Sequence, residues 1–149
     1  MLITFYQKTF NQLSLNQLYA LAKLRADVFV LEQNCLYPDL DNKDQQALHI
    51  LGYKDNELVA YARCFKPGLY FTEASIGRVL VAKNQRKKAF GQQLMHHAIK
   101  AIASHYSTSS IRISAQLYLL EFYTFLGFVK TGDSYLEDGI PHINMLYYK

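Results

Sequence analysis

Val79-Leu80-Val81-Ala82-Lys83-Asn84-Gln85-Arg86-Lys87-Lys88-Ala89-Phe90-Gly91-Gln92-Gln93 is the stretch that decides how this chain folds. It opens as the end of an apolar run, Ser75-Ile76-Gly77-Arg78-Val79-Leu80-Val81, continuous enough to be a central strand. A loop follows in which Lys83, Arg86, Lys87 and Lys88 place four cations within six positions. Phe90, Leu94, Met95, Ala98, Ile99 and Ile102 then recur at helical spacing and mark a helix from about Gly91 to Ser104. The first turn of a helix has unpaired N–H donors and the positive end of the macrodipole. A diphosphate placed there is held by backbone, with the cations adding Coulomb attraction. Gly91 predicts a close backbone approach. A solvated basic turn ahead of a helix meets the same spacing equally well.

Upstream, Leu48–Lys54 and Leu58–Lys66 read as a hairpin about Asp55-Asn56-Glu57, ended by Pro67-Gly68. Leu2–Phe10 reads as a first strand. Ser14 and Gln17 form a capping box, with Leu13 and Leu18 at the staple positions. Leu18, Leu21, Ala22, Arg25, Val28 and Phe29 continue at helical spacing. Arg25 interrupts that stripe, which predicts a partner carboxylate or a cleft, because an unpaired buried guanidinium is very costly. Leu31–Ala47 is polar and turn-rich, the pattern of a functional loop or of one hiding a short helix. Its acidic run, Asp39 to Asp44, reads as a solvated loop, with attraction of a cationic amine as the alternative. Downstream, Ile111–Ala115 is a short strand, and Leu119, Phe122, Tyr123 and Leu126 form the stripe of a short helix stopped by Gly127. Phe128–Lys130 begins a strand, Asp138-Gly139-Ile140-Pro141 is a turn, and Ile143–Tyr148 is a last strand. The order β-α-(loop)-β-β-β-α-β-α-β-β predicts an α/β (mixed α+β) fold, a mixed sheet with helices on its faces.

The chain has 149 residues and 17.2 kDa, which fits a single domain over 1–149. Half its residues are apolar, which excludes a disordered chain, and the 12 Tyr and 9 Phe supply bulk for a core. No apolar run approaches the roughly 20 residues of a bilayer span. Met1-Leu2-Ile3-Thr4-Phe5-Tyr6 lacks the features of a signal peptide, and two cysteines, Cys35 and Cys64, are too few for a disulfide framework. The expectation is a cytoplasmic protein with free thiols and no membrane partner. Net charge is +4, but outside Lys83–Lys88 the cations are scattered. That cluster suits a small polyanion better than a nucleic acid. His96 and His97 are adjacent on a helix, point about 100° apart and do not chelate one metal well.

Arg86-Lys87-Lys88-Ala89-Phe90-Gly91 resembles the Arg/Gln-x-x-Gly-x-Gly/Ala acyl-CoA signature of the GNAT superfamily of N-acetyltransferases, with Ala89 where the first glycine is usual. Ala89 is accommodated there if its φ is negative. Glu32-Gln33-Asn34-Cys35, His49-Ile50-Leu51-Gly52, Leu58-Val59-Ala60-Tyr61-Ala62-Arg63, Ile76-Gly77-Arg78-Val79, Gly91-Gln92-Gln93-Leu94-Met95, Phe122-Tyr123-x-x-Leu126-Gly127-Phe128 and Glu137-Asp138-Gly139-Ile140-Pro141-His142-Ile143 are similar to the ElaA-like branch of that superfamily. The resemblance implies a GNAT-like fold: a central mixed, mostly antiparallel sheet with two splayed parallel strands, here Ile76–Val81 and Ile111–Ala115, and helices on both faces. It implies acetyl-CoA as cosubstrate, no metal, and transfer of the acetyl group to a primary amine by direct attack in a ternary complex. Val79, Leu80 and Val81 would then hold the pantetheine, and the amides of Arg86, Lys87, Lys88, Ala89, Phe90, Gly91 and Gln92 the pyrophosphate. Tyr118 would line the CoA wall.

That reaction needs a neutral amine, a donor for the developing oxyanion and a proton for the leaving thiolate. The resemblance assigns the last role to Tyr123, whose place on the apolar stripe fits a core tyrosine as well. Glu32, His49, Arg78, Glu121, Glu137 and His142 are the polar candidates near the cleft. Arg78 cannot act as a base at neutral pH and would pair with a carboxylate or bind an anion. Glu32 and His142 are taken as the acceptor-site or base candidates, with a water chain as the alternative. The acceptor partner is a small-molecule or peptide amine. Tyr147 and Tyr148 suit a homodimer contact or the core. A non-catalytic acyl-CoA-binding or sensing domain on the same fold is the rival reading. A nucleic-acid module is opposed by the scattered charge.

Overall fold

Seven strands form one sheet in the order β1-β2-β3-β4-β5-β7-β6, in a computed structural model that describes residues 2–148. β1 (Thr4–Thr9), β2 (Leu48–Lys54), β3 (Glu57–Phe65) and β4 (Ala74–Val81) run antiparallel as one half. β5 (Ile111–Gln116), β7 (Ile140–Tyr147) and β6 (Val129–Glu137) form a second antiparallel half. The halves meet at β4 and β5, which pair in parallel. Asp55 and Asn56, at φ 52 and 65, close the β2–β3 hairpin, and Asp138 and Gly139, at φ 51 and 78, close β6–β7. Both are two-residue turns of the left-handed kind that match strand twist. The expected turn over 138–141 is therefore shorter, since Ile140 and Pro141 already pair with Glu137 and Leu136.

α1 (Leu15–Arg25) starts at the predicted capping box, where Gln17 N donates to Ser14 Oγ at 3.0 Å and Ser14 N to Gln17 Oε1 at 2.9 Å. The helix widens into a π turn over Ala26–Glu32, so the irregular stretch begins only after Glu32. Its hidden short helix is a 3₁₀ turn at Asp44–Gln46. Strand alternation gives the sheet two apolar faces. On one, Leu21 of α1 packs with Leu51, Leu58, Tyr61 and Leu80. On the other, Leu94, Met95, Ala98, Ala101 and Ile102 of α2 (Phe90–Tyr106) pack with Ile50, Ala60, Ala62, Ile76 and Ile113. The alanines on both sides let the helix lie close. α3 (Leu120–Phe125) shares that second core through Tyr123. Gly127, at φ +103, ends it, with its N–H donating to the Thr124 carbonyl at 3.0 Å.

β4 and β5 pair only at Ala74–Ile111 and Ser75–Arg112. Beyond Ser75 they part, because β4 bends. Its ladder to β3 steps from Gly77–Arg63 to Leu80–Tyr61, so Arg78 and Val79 together oppose one residue. Arg78 takes φ +49 at this bulge, a conformation costing roughly 1–3 kcal/mol that persists where surroundings enforce it. No helix among the described residues is long and apolar enough to cross a membrane.

Candidate active site

The parting of β4 from β5 opens a cavity of about 900 Å³. Val79, Leu80 and Val81 form one wall, and Ile113, Ser114 and Gln116 the other. The β5-facing backbone edge of β4 beyond Ser75 has no strand partner, so its N–H and C=O groups are open to a ligand, save the Val81 carbonyl, which accepts from Arg86 Nε. One end of the cavity reaches Ala89, Phe90, Gly91 and Gln92 at the start of α2. Ligands favour this position in open α/β sheets, a crevice beyond the carboxyl ends of strands.

The basic loop has the expected place but a different backbone. Lys87 and Ala89 are both left-handed, at φ 65 and 61. Alternating left-handed residues turn successive amides inward, as in anion-binding nests. The negative φ expected of Ala89 is not observed. Its Cβ sits where glycine is unstrained, at a cost of about 1–2 kcal/mol. Ala89 caps α2, with Gln93 N donating to its carbonyl at 3.2 Å. The close approach expected at Gly91 is made by α3: an added Cβ would lie 3.3 Å from Phe122 Cζ. Arg86 grips Glu32 with both Nη atoms, at 2.5 and 2.8 Å, and its Nε donates to the Val81 carbonyl at 3.0 Å. The Arg86 hydrogen bond holds the Glu32 carboxyl below its usual pKa.

Tyr123 is 5 % exposed and lines the cavity from α3. Burial pushes its phenol well above the ordinary value, so it stays protonated. Tyr118 is exposed at the cavity rim. His142 lines the other side, 6 % exposed, with Nδ1 2.7 Å from the Ile140 carbonyl and Nε2 3.5 Å from Glu137 Oε2. Ser114 Oγ donates to Glu137 Oε1 at 2.9 Å and also bonds the Tyr135 hydroxyl. Gln116 exchanges amide bonds with Gln33 at 3.1 and 3.2 Å. Register explains this grouping. Gln116 pairs with His142, His142 with Tyr135, and Ser114 with Asn144, so these side chains share one sheet face. Sequence reasoning missed Ser114, Tyr135, Gln116 and Asn144. The alternation in Ile111-Arg-Ile-Ser-Ala-Gln116 was their signal.

The acidic run is not a solvated loop. Arg25 Nε and Nη1 bond Asp39 and Asp44 at 3.0 and 2.7 Å. Arg63 bonds Asp44 at 2.9 Å and Asp41 with both Nη atoms. Arg78 Nε lies 2.8 Å from Asp39 Oδ1, an ion pair without hydrogen-bond alignment. Buried guanidinium groups need neutralising partners, and these aspartates provide them. Burial opposes charge on Arg63, but Asp41 and Asp44 outweigh it and raise its pKa. Burial would likewise raise the Asp41 carboxyl, yet the Arg63 hydrogen bond and charge carry it well below its usual range. Thus Arg63 and Arg78 line the cavity with their charges already balanced. His49 is buried, its ring nitrogens 2.6 Å from the Tyr61 hydroxyl and 2.9 Å from the Asp44 carbonyl, a structural residue whose pKa burial lowers.

Cys64 is buried in the core, and desolvation raises its thiol pKa. Cys35 lies at the cavity, its Sγ 3.3 Å from the Asp138 carbonyl. Among the described residues no group of three His, Cys, Asp or Glu side chains converges as a metal site.

The family model described as "Acetyltransferase (GNAT) domain" matches residues 16–149. The chain is 44 % identical over 137 residues to protein ElaA of Escherichia coli strain K12, covering 91 % of this chain and 90 % of that one. The crystal structure of Escherichia coli ElaA superposes with a TM-score of 0.91 at 41 % identity, covering 98 % of this chain and 99 % of the other. That of an acyl-CoA N-acyltransferase from Pseudomonas aeruginosa gives a TM-score of 0.91 at 36 % identity, covering 97 % and 99 %.

Proposed function

The chain belongs to the GNAT acetyltransferase family, and on that premise we propose that it is an acetyl-CoA-dependent N-acetyltransferase acting on a small-molecule or peptide primary amine, by direct attack in a ternary complex. The observation that carries this reading is the loss of β4's parallel partner after Ser75, directly beside the amide nest that opens α2. The β5-facing backbone of the Val79-Leu80-Val81 stretch suits the two amides of a pantetheine arm once Arg86 releases the Val81 carbonyl. The amides of Arg86 through Gln92, with Lys87 and Lys88 beside them, suit a pyrophosphate. Tyr118 suits the outer wall. Bound there, acetyl-CoA supplies an acyl group as a thioester.

Tyr123 holds its proton at neutral pH and is our donor to the departing sulfur. On the acceptor side the candidates are His142 and Glu32. Glu32 is engaged by Arg86, which lowers its affinity for a proton. His142 lines the cavity with only Nδ1 bonded to a backbone carbonyl, and it is our better candidate for the base. The test incubates the protein with acetyl-CoA and a panel of primary amines and follows free CoA thiol. Amine-dependent release is the expected result. CoA binding without release would instead assign a non-catalytic acyl-CoA-binding role, and no calorimetric heat from CoA would overturn both.

A further inference from the structure

Gly77 is a glycine that its backbone does not require. Its φ lies outside the left-handed region, and it pairs with Arg63 in the β3–β4 ladder. Close packing does not require it either. A Cβ built there would meet no described atom within 4 Å beyond its chain neighbours. The space it leaves belongs to the cavity, which Gly77 lines. Ala74 and Ile76 point into the α2 core, so Ser75 and Gly77 face the α1 side. Gly77 precedes Val79, where the pantetheine arm is expected, by two residues, or about 7 Å along the strand.

The wall beside this hollow is aromatic. Ser75 makes the last pair with β5 and also pairs with Phe65 of β3. Phe65, Tyr70 and Phe71 line the cavity, and the Tyr70 ring centroid lies 5.4 Å from each of the other two. Charge narrows what such a wall can take. Arg63 sits over Phe65 at 5.1 Å, Lys43 over Tyr70 at 4.1 Å and Arg112 over Phe71 at 5.8 Å. A further cation would be repelled by these, so the rings do not form a cage for an ammonium group. Arg63 is paired with Asp41 and Asp44, Arg78 with Asp39 and Arg112 with Glu73, so a carboxylate meets guanidinium charge that is already balanced. An uncharged flat group meets neither objection.

We propose that this hollow holds the tail of the acceptor, that Gly77 sets its depth, and that the acceptor is a primary amine carrying an uncharged aromatic ring on a short tether. The inference rests on the transferase reading and narrows its acceptor from primary amines at large. The ring takes no part in the chemistry. Its burial brings the nitrogen to the thioester carbon in a fixed orientation, so the gain is read in kcat/KM.

The test uses the full chain, saturating acetyl-CoA and four amines: 2-phenylethylamine, n-propylamine, 1,4-diaminobutane and β-alanine. Phenylethylamine should exceed propylamine in kcat/KM by about 10–100-fold, as burial of a Phe-sized group implies. Diaminobutane and β-alanine should not exceed propylamine. Gly77→Ala and Gly77→Val should lower the phenylethylamine-to-propylamine ratio in steps, reaching about tenfold for Val. Phe71→Leu, which leaves β4 untouched, should lower the ratio in the same direction. A ratio unmoved by both Gly77→Val and Phe71→Leu overturns the hollow. Diaminobutane or β-alanine turned over as well as phenylethylamine overturns the acceptor class. Should no amine release CoA thiol from the wild type, the transferase reading fails, and binding of 2-phenylethanol judges the hollow alone. Saturation transfer by NMR should then be seen with the wild type and lost in Gly77→Val, and its absence from the wild type overturns the hollow as well.

Discussion

Tyr123 joins packing and chemistry in one side chain. Its ring meets Phe122 and Phe128 edge-on, with centroids 5.0 and 5.9 Å apart, contacts each contributing about 0.5–1.5 kcal/mol. Tyr123→Phe keeps those contacts and removes only the hydroxyl. The variant should fold and bind CoA as before, while kcat falls by about 10²-fold or more. An unchanged kcat would take Tyr123 out of the mechanism. Arg86 poses a different question. It covers the Val81 carbonyl, where we expect a pantetheine amide, and is clasped by Glu32. Phosphate must compete with that clasp. Glu32→Gln should therefore bind CoA several-fold more tightly, with a steeper salt dependence, and keep its kcat. A collapse of kcat would return Glu32 to the role of base.

Between the π turn and β2, the segment from Gln33 to Ala47 carries little regular structure, yet Asp39 and Asp44 within it are buried. Charge pairing holds it. Asp44 Oδ1 accepts from both Arg25 and Arg63, at 2.7 and 2.9 Å, and so bridges α1 to β3. Asp44→Asn leaves two buried guanidinium groups short of a charge and should cost about 3–5 kcal/mol in urea denaturation. The exposed Lys23–Asp27 pair is the control, and Asp27→Asn should leave stability unchanged. This element was the least legible part of the sequence. Arg25 betrayed a missing carboxylate by interrupting an apolar stripe, but its partners lie 14 and 19 positions away, and an aspartate run alone looks solvated. Local signals fared better. The Ser14–Gln17 box, the Gly127 stop and the β4–loop–α2 unit rest on neighbours in sequence, and each is where its residues put it. The left-handed backbones of Arg78 and Ala89 left no mark, because neither residue is glycine. The pocket's polar face was half visible: His142 and Glu137 stood out by type, while Ser114 and Tyr135 needed the strand register to join them.

The sheet is differentiated across the whole molecule. α1 covers one face of the first half, and α2 and α3 cover the opposite face of both halves. The polar face of β5, β7 and β6 is thus left to the cavity, and the buried charges gather where α1, β3, β4 and the loop meet. This distribution fixes how stability follows pH. His49 is buried, and desolvation lowers its pKa, so between its folded value and the ordinary 6.5 the unfolded chain binds the extra proton. Its contribution is whole above about pH 6.5 and is lost as pH falls, by no more than about 1.4 kcal/mol per unit. His97, whose pKa burial also lowers, acts in the same direction. Asp41 follows lower down. The Arg63 partnership overcomes its burial and depresses its pKa, so its stabilisation is present above about pH 4 and lost as pH falls further. The melting temperature should therefore fall in two stages on acidification, one beginning near pH 6.5 and one below about pH 4. His49→Gln should flatten the first stage while leaving the second, and Asp41→Asn should do the reverse. A melting temperature constant from pH 7 to 5 in the wild type would mean that His49 is charged in the folded protein, and the buried Tyr61–His49–Asp44 chain would have to be redrawn.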